Sequence, residues 1–151
     1  MKIAFIGGGT MAEAMVAGVL MANLTSPQDI LVADVSPARN QFLEKEYGVA
    51  TTSAAAEAVS DRDLTVLAIK PQDLSAVAGG LKGKLAQGQL VLSVVAGASL
   101  ATIIQGLGHQ VVVRVMPNIA ARVGEGLSLW TATPAVGEGQ RETAHTFLRA
   151  L

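Results

Sequence analysis

A doubly wound α/β domain, with helices on both faces of a mostly parallel sheet (three layers, αβα), is the fold class this 151-residue sequence predicts. Three observations predict it. Short apolar runs of strand type alternate with helix-compatible segments along the whole chain, the order that builds parallel sheets. Half of the residues are hydrophobic but only 3% are aromatic. The core must therefore be Val, Leu, Ile and Ala, as strands buried on both faces require. Finally, the first strand, Lys2 to Ile6, runs straight into the glycine turn Gly7-Gly8-Gly9-Thr10-Met11-Ala12 and a helix-compatible segment from Glu13 to Leu20.

The remaining elements follow in order. Thr25 to Asp29 reads as a loop and Ile30 to Ala33 as the second strand, ending at Asp34. Ser36-Pro37 is a helix start, with Ser36 as N-cap and Pro37 at the first helical position. That helix is expected to reach Tyr47 and stop at Gly48. Val49 to Thr51 is a short third strand, Ser53 to Val59 a short helix, and Leu64 to Ile69 the fourth strand. Lys70 to Asp73 turns into a helix through about Lys82, and Gln89 to Val94 is strand five. Ser99 caps a helix ending near Gly106, Gln110 to Val115 is strand six, and Met116-Pro117-Asn118 opens a loop. Gly126 to Trp130 is compatible with one more strand, and Glu138 to Leu151 has a helix pattern. Trp130 and the five methionines read as packing residues.

Bulk properties remove several classes of function. A net charge of −1 with scattered basic residues leaves no electrostatic footprint for nucleic acid or an anionic membrane. Without cysteine there is neither a disulfide nor a thiolate, and the two histidines have no metal-ligand spacing, so no metal is expected. His109 and His145 read as loop and helix-surface residues without a role. The longest apolar run, Ala14 to Ala22, is too short to span a bilayer, and the first apolar residues already form strand one. The expectation is a cytoplasmic protein made of one domain over residues 1–151.

Strand, glycine turn and helix together form the opening of a Rossmann-type dinucleotide-binding unit. Gly7 permits a tight reversal, Gly9 lets the backbone lie against a pyrophosphate, and Ala12 lets the helix pack closely on the strand. The helix amides and dipole then face the phosphates. The competing reading is an ordinary tight turn, with Thr10 and Glu13 forming a capping box. Asp34 ends strand two, where an acid binds the ribose 2′-hydroxyl of NAD. Ser36 and Arg39 lie just beyond and suit the 2′-phosphate of NADP. Ser36 is equally a helix cap and Arg39 equally a solvated helix residue, and the balance leans slightly to NADP, with NAD possible. Lys70 ends an apolar strand, an uncommon place for a charge unless it faces a ligand. Ala96 and Gly97 would let a nicotinamide ring approach the backbone. Asn118 is a candidate for a carboxamide or a substrate carboxylate, or is simply a turn residue. These turns all follow strand ends, so in a parallel sheet they share one rim. No nucleophile–base pair or paired carboxylates compete with redox chemistry, and no catalytic residue is assigned.

Phe5 to Ala12, Ala68-Ile69-Lys70-Pro71-Gln72-Asp73, Ser93 to Gly97 and Arg114-Val115-Met116-Pro117-Asn118 resemble, in order and spacing, the pyrroline-5-carboxylate reductase family. The resemblance covers essentially the whole chain. It implies NAD(P)H-dependent reduction of the cyclic imine 1-pyrroline-5-carboxylate to L-proline, within proline biosynthesis. It also implies that Ile6, Gly7, Gly8, Gly9, Thr10, Met11, Ser36, Ala68, Ile69, Lys70 and Pro71 contact the cofactor, with Ala96 and Gly97 near the nicotinamide. Asp34-Val35 stands where relatives often carry Asn-Arg, Ala55 where some have an adenosine-contacting Asn, and Ile119-Ala120 where Thr-Pro is usual. The family also has a helical second domain that forms the homo-oligomer and most of the substrate pocket. These residues contain none of it, so the chain is expected to be the cofactor half. A β-hydroxyacid-dehydrogenase-type oxidoreductase and a non-catalytic dinucleotide-binding module are the alternative readings.

Overall fold

The computed structural model describes residues 1–117 and 128–151. In chain order the strands are β1 (Ile3–Ile6), β2 (Ile30–Ala33), β3 (Ala50–Thr52), β4 (Leu64–Leu67), β5 (Leu90–Ser93), β6 (Val112–Pro117) and β7 (Ser128–Ala132). The helices are α1 (Thr10–Met21), α2 (Pro37–Tyr47), α3 (Ala55–Ala58), α4 (Leu74–Leu81), α5 (Leu100–Leu107) and α6 (Glu138–Arg149). Short 3₁₀ turns, Pro27–Asp29 and Pro71–Asp73, precede β2 and α4. The sheet order is β3-β2-β1-β4-β5-β6-β7. All neighbours are parallel except β6 and β7.

Alternating side chains along each strand divide the core in two. Ile3 and Phe5 of β1 join Val32, Val66, Leu92 and Val113 on the face covered by α1, α2 and α6. Ala4 and Ile6 join Leu67, Val91 and Val112 on the face covered by α3, α4 and α5. This is the expected doubly wound, three-layer arrangement. With so few aromatics, a single ring pair, Phe5 and Phe147 with centroids 6.3 Å apart, ties α6 to the central strand.

Some boundaries move for identifiable reasons. Strand four stops at Leu67, so Ala68 and Ile69 leave the ladder and enter the loop rim. Helix α5 ends at Gly108, which takes the left-handed cap with φ +60°, and not at Gly106. Gly106 lies inside the helix because a Cβ there would stand 3.1 Å from the Cβ of Ala78 on α4. Strand β6 continues through Pro117, where a loop was expected to begin at Met116, and β7 lies two residues further on than anticipated. Two methionines are not packing residues: Met21 is 83% and Met116 57% exposed.

His109 lies in a loop as read, but it is buried. Its Nε2 lies 2.7 Å from the carbonyl of Gln89, whose side chain donates to the Val59 carbonyl and the Thr65 hydroxyl. This is a satisfied polar group in the lower core, a structural use that accounts for it. His145 is exposed on α6, as expected.

Candidate functional site

Parallel strands place every following turn on one rim, and here neighbouring turns are stitched together at their first residues. Gly7 N–H donates to the Ala33 carbonyl at 2.8 Å, Ala68 N–H to the Ile6 carbonyl at 2.8 Å, and Val94 N–H to the Leu67 carbonyl at 3.0 Å. The strand order reverses between β1 and β4, the position at which open α/β sheets bind ligands. A cleft of about 460 Å³ opens there.

Its walls bring together seven of the residues singled out from sequence: Ile6, Gly7, Gly9, Asp34, Ala68, Ile69 and Lys70. Gly7 is held at φ +95°, and a Cβ would stand 2.5 Å from the Ala68 carbonyl oxygen, so no other residue fits without displacing backbone. Gly9 differs: its ideal Cβ meets nothing within 4 Å. Glycine here leaves space that the protein itself does not fill. The same residue is the N-cap of α1 and supplies no side chain to cap it, so the first-turn amides of Thr10 and Met11 are left for another acceptor. The capping-box reading of Thr10 and Glu13 is thereby overturned. Ala12 is completely buried, as close helix–strand packing requires.

Glu13 has a different use. Its Oε2 accepts a bond from Arg39 Nη2 and its Oε1 accepts one from the Tyr47 hydroxyl at 3.2 Å. Burial and the adjacent Glu13 carboxylate push the Tyr47 phenol above its ordinary pKa. Arg39 Nε also donates to the Gly8 carbonyl, and the guanidinium carbon lies 4.9 Å over the Phe42 ring. Arg39 is therefore no free solvated residue, nor does it line the cleft. Asp34 does line it, while its Oδ2 accepts from Gly8 N–H at 2.7 Å and its Oδ1 from Ser36 N–H at 2.8 Å. Ser36 caps α2, accepting from the Arg39 amide at 3.3 Å, which is its capping role.

Lys70 is exposed at the cleft edge, and among the described residues no carboxylate lies within ion-pair distance of its ammonium. Pro71 begins the 3₁₀ turn after it. Ala96 and Gly97 lie in the exposed turn beyond β5, on the same rim but outside the cleft wall, with Gly97 at φ +71°. Asn118 lies outside the described residues. Ala33, Val35, Ser53, Asp73, Ala76 and Val77 also line the cleft and were not singled out as site residues from sequence. Ser53 follows β3 and obeys the same strand-end logic. Asp73, Ala76 and Val77 needed the packing angle of α4, which no local pattern carries.

A Gly-rich turn at the switch point, uncapped amides at a helix start and an acid closing the second strand define a dinucleotide-type α/β domain. The chain belongs to the family described as NADP oxidoreductase, coenzyme F420-dependent, whose model matches residues 2–97. Within that group its likeness is to the pyrroline-5-carboxylate reductases. It is 37% identical over 149 residues to pyrroline-5-carboxylate reductase 1 of Bacillus spizizenii, covering 97% of this chain and 50% of the relative. The solved pyrroline-5-carboxylate reductase of Coxiella burnetii superposes with a TM-score of 0.93 at 34% identity, over 99% of this chain and 56% of that one. The Plasmodium falciparum enzyme, solved with NADP bound, has the same fold, with a TM-score of 0.87 at 23% identity over 99% and 55%. The chain thus spans about half the length of the relatives it matches.

Proposed function

We propose that this chain is the cofactor-binding part of an NAD(P)H-dependent pyrroline-5-carboxylate reductase, reducing 1-pyrroline-5-carboxylate to L-proline in proline biosynthesis. The observation that carries the reading is the open space at Gly9 beside uncapped α1 amides, the kind of helix start that accepts a phosphate. The family description supports NADP, and Asp34 at the end of β2 keeps NAD as the alternative coenzyme of this reading. The bound nicotinamide would supply the hydride. The residues of this chain would do the holding: the turn from Ile6 to Met11 at the pyrophosphate, Asp34 and Ser36 at the ribose end, Ala68 to Pro71 along the cleft, and Ala96 and Gly97 toward the nicotinamide. Asn118 is the substrate-side candidate. Holding cofactor and substrate face to face and excluding water is most of what hydride transfer asks of a protein.

The remaining substrate contacts, and a homo-oligomer interface, are assigned to sequence of the kind that makes up the other half of the relatives. A cytoplasmic location fits the reading; among the described residues no helix is long and apolar enough to cross a membrane. The test is a coenzyme titration followed by an absorbance assay with 1-pyrroline-5-carboxylate. We expect saturable binding of NADPH or NADH, with turnover by this chain alone far below the roughly 1–1000 s⁻¹ of typical enzymes. Faster oxidation of a hydroxy acid than reduction of the imine would contradict the substrate assignment. Rapid imine turnover would contradict the division of labour.

A further inference from the structure

Gly8 neither lines the cleft nor has a side chain, yet both polar groups of its backbone are held by one neighbouring segment. Its N–H donates to Asp34 Oδ2 and its carbonyl accepts from Arg39 Nε. Space around it is already taken, since a Cβ at Gly8 would stand 3.0 Å from Leu43 Cδ1 and 3.2 Å from Asp34 Cβ. Arg39 is in turn fixed by the Glu13 carboxylate on α1 and by the face of Phe42. The Arg39 and Glu13 side chains are only 26% and 24% exposed, so the pair is shielded from the solvent that weakens surface ion pairs.

We propose that Arg39 is a positioning residue for the coenzyme, acting through the glycine turn and not by contact with a ribose phosphate. This rests on the dinucleotide reading above and deepens it. A run of three glycines has the largest conformational freedom a chain can have, and binding a pyrophosphate would have to remove it. Pinning the two peptide units that flank Gly8 removes that freedom in advance, so the amides of the α1 start are aimed before the ligand arrives. The guanidinium fork suits the task because two of its donors meet two acceptors in fixed directions. Glu13 completes the device. It holds the fork, and the fork cancels a carboxylate that would otherwise stand in the first helical turn, beside the proposed anion seat.

The test measures dissociation constants of NADH and NADPH on this chain, on Arg39→Met and on Arg39→Lys, with thermal unfolding run in parallel. The expected result is that Arg39→Met weakens both coenzymes by the same factor, about tenfold for the loss of one charged hydrogen bond and its pre-organisation. Arg39→Lys is expected to recover part of the loss for both, because its ammonium reaches one of the two acceptors. In the Arg39→Met background, Glu13→Gln is expected to recover part of the loss for both coenzymes, because it removes the carboxylate left uncancelled beside the seat. Loss confined to NADPH overturns the proposal, because the guanidinium then belongs to the 2′-phosphate. Unchanged constants overturn it too, leaving Arg39 as a stabilising residue only. Should Arg39→Met fail to fold, the ratio of NADH to NADPH losses in Arg39→Lys decides. Failure of the unaltered chain to bind either coenzyme would instead refute the dinucleotide reading itself.

Discussion

Glu13 shows how much can hang on one carboxylate placed beside an anion seat. Left alone it would repel phosphate; paired with Arg39 and bonded to Tyr47 it becomes part of the frame. Tyr47 is the only tyrosine in the chain, so its absorbance reports this corner directly. Burial first, and the Glu13 charge second, raise its pKa. The folded chain therefore holds the phenolic proton more tightly than the unfolded chain does. Stability tied to this group is complete below the ordinary tyrosine range and is lost as pH rises through the higher folded value. A spectrophotometric titration is expected to give a midpoint above that of free tyrosine. Glu13→Gln is expected to lower it only part of the way, because burial remains. A midpoint at the ordinary value in the unaltered chain would contradict the packing described here.

At the scale of elements, α1 packs tightly against the residues that follow α6. A Cβ on Gly18 would stand 2.6 Å from the Ala150 carbonyl oxygen and 3.2 Å from Leu151 Cδ2. Helix propensity alone would make Gly18→Ala stabilising by about 1 kcal/mol. Overpacking against a backbone atom costs about 1–3 kcal/mol, and this is the larger effect. Urea unfolding is expected to show a net destabilisation of about 1 kcal/mol from these two opposing contributions. A gain in stability would mean that the C-terminal residues do not pack where the structure puts them. Much of the element order was legible in the sequence, because Ser36-Pro37, Gly48 and Ser99 are local signals that act within a few residues. Gly106 was misread as a stop because its purpose is a contact with α4, which lies far away in the chain. Arg39 looked like a ligand or a surface residue for the same reason: its partners come from α1 and the glycine turn, and neither spacing nor composition discloses them.

Taken whole, the molecule is a sheet whose parallel strands deliver a set of loops to one edge, with the glycine turn at the place where strand order reverses. The glycine turn, Asp34 and Lys70 could be found from sequence because strand ends in such a sheet have known positions relative to one another. What sequence did not supply was the inner wall of the cleft from α4, nor which residues of the β2–α2 turn line the cleft and which brace the turn. The central claim is that a pyrophosphate sits in the empty space beside Gly9 on the amides of α1. Gly9→Asp tests it most directly. Aspartate is a favoured N-cap and its Cβ meets no neighbour at this position, so folding should be unharmed, while its carboxylate occupies and repels from the seat. Calorimetric titration of the variant with NADPH and NADH, beside thermal unfolding, is expected to show an unchanged or higher unfolding midpoint and loss of binding for both coenzymes. Binding as tight as that of the unaltered chain would contradict the account.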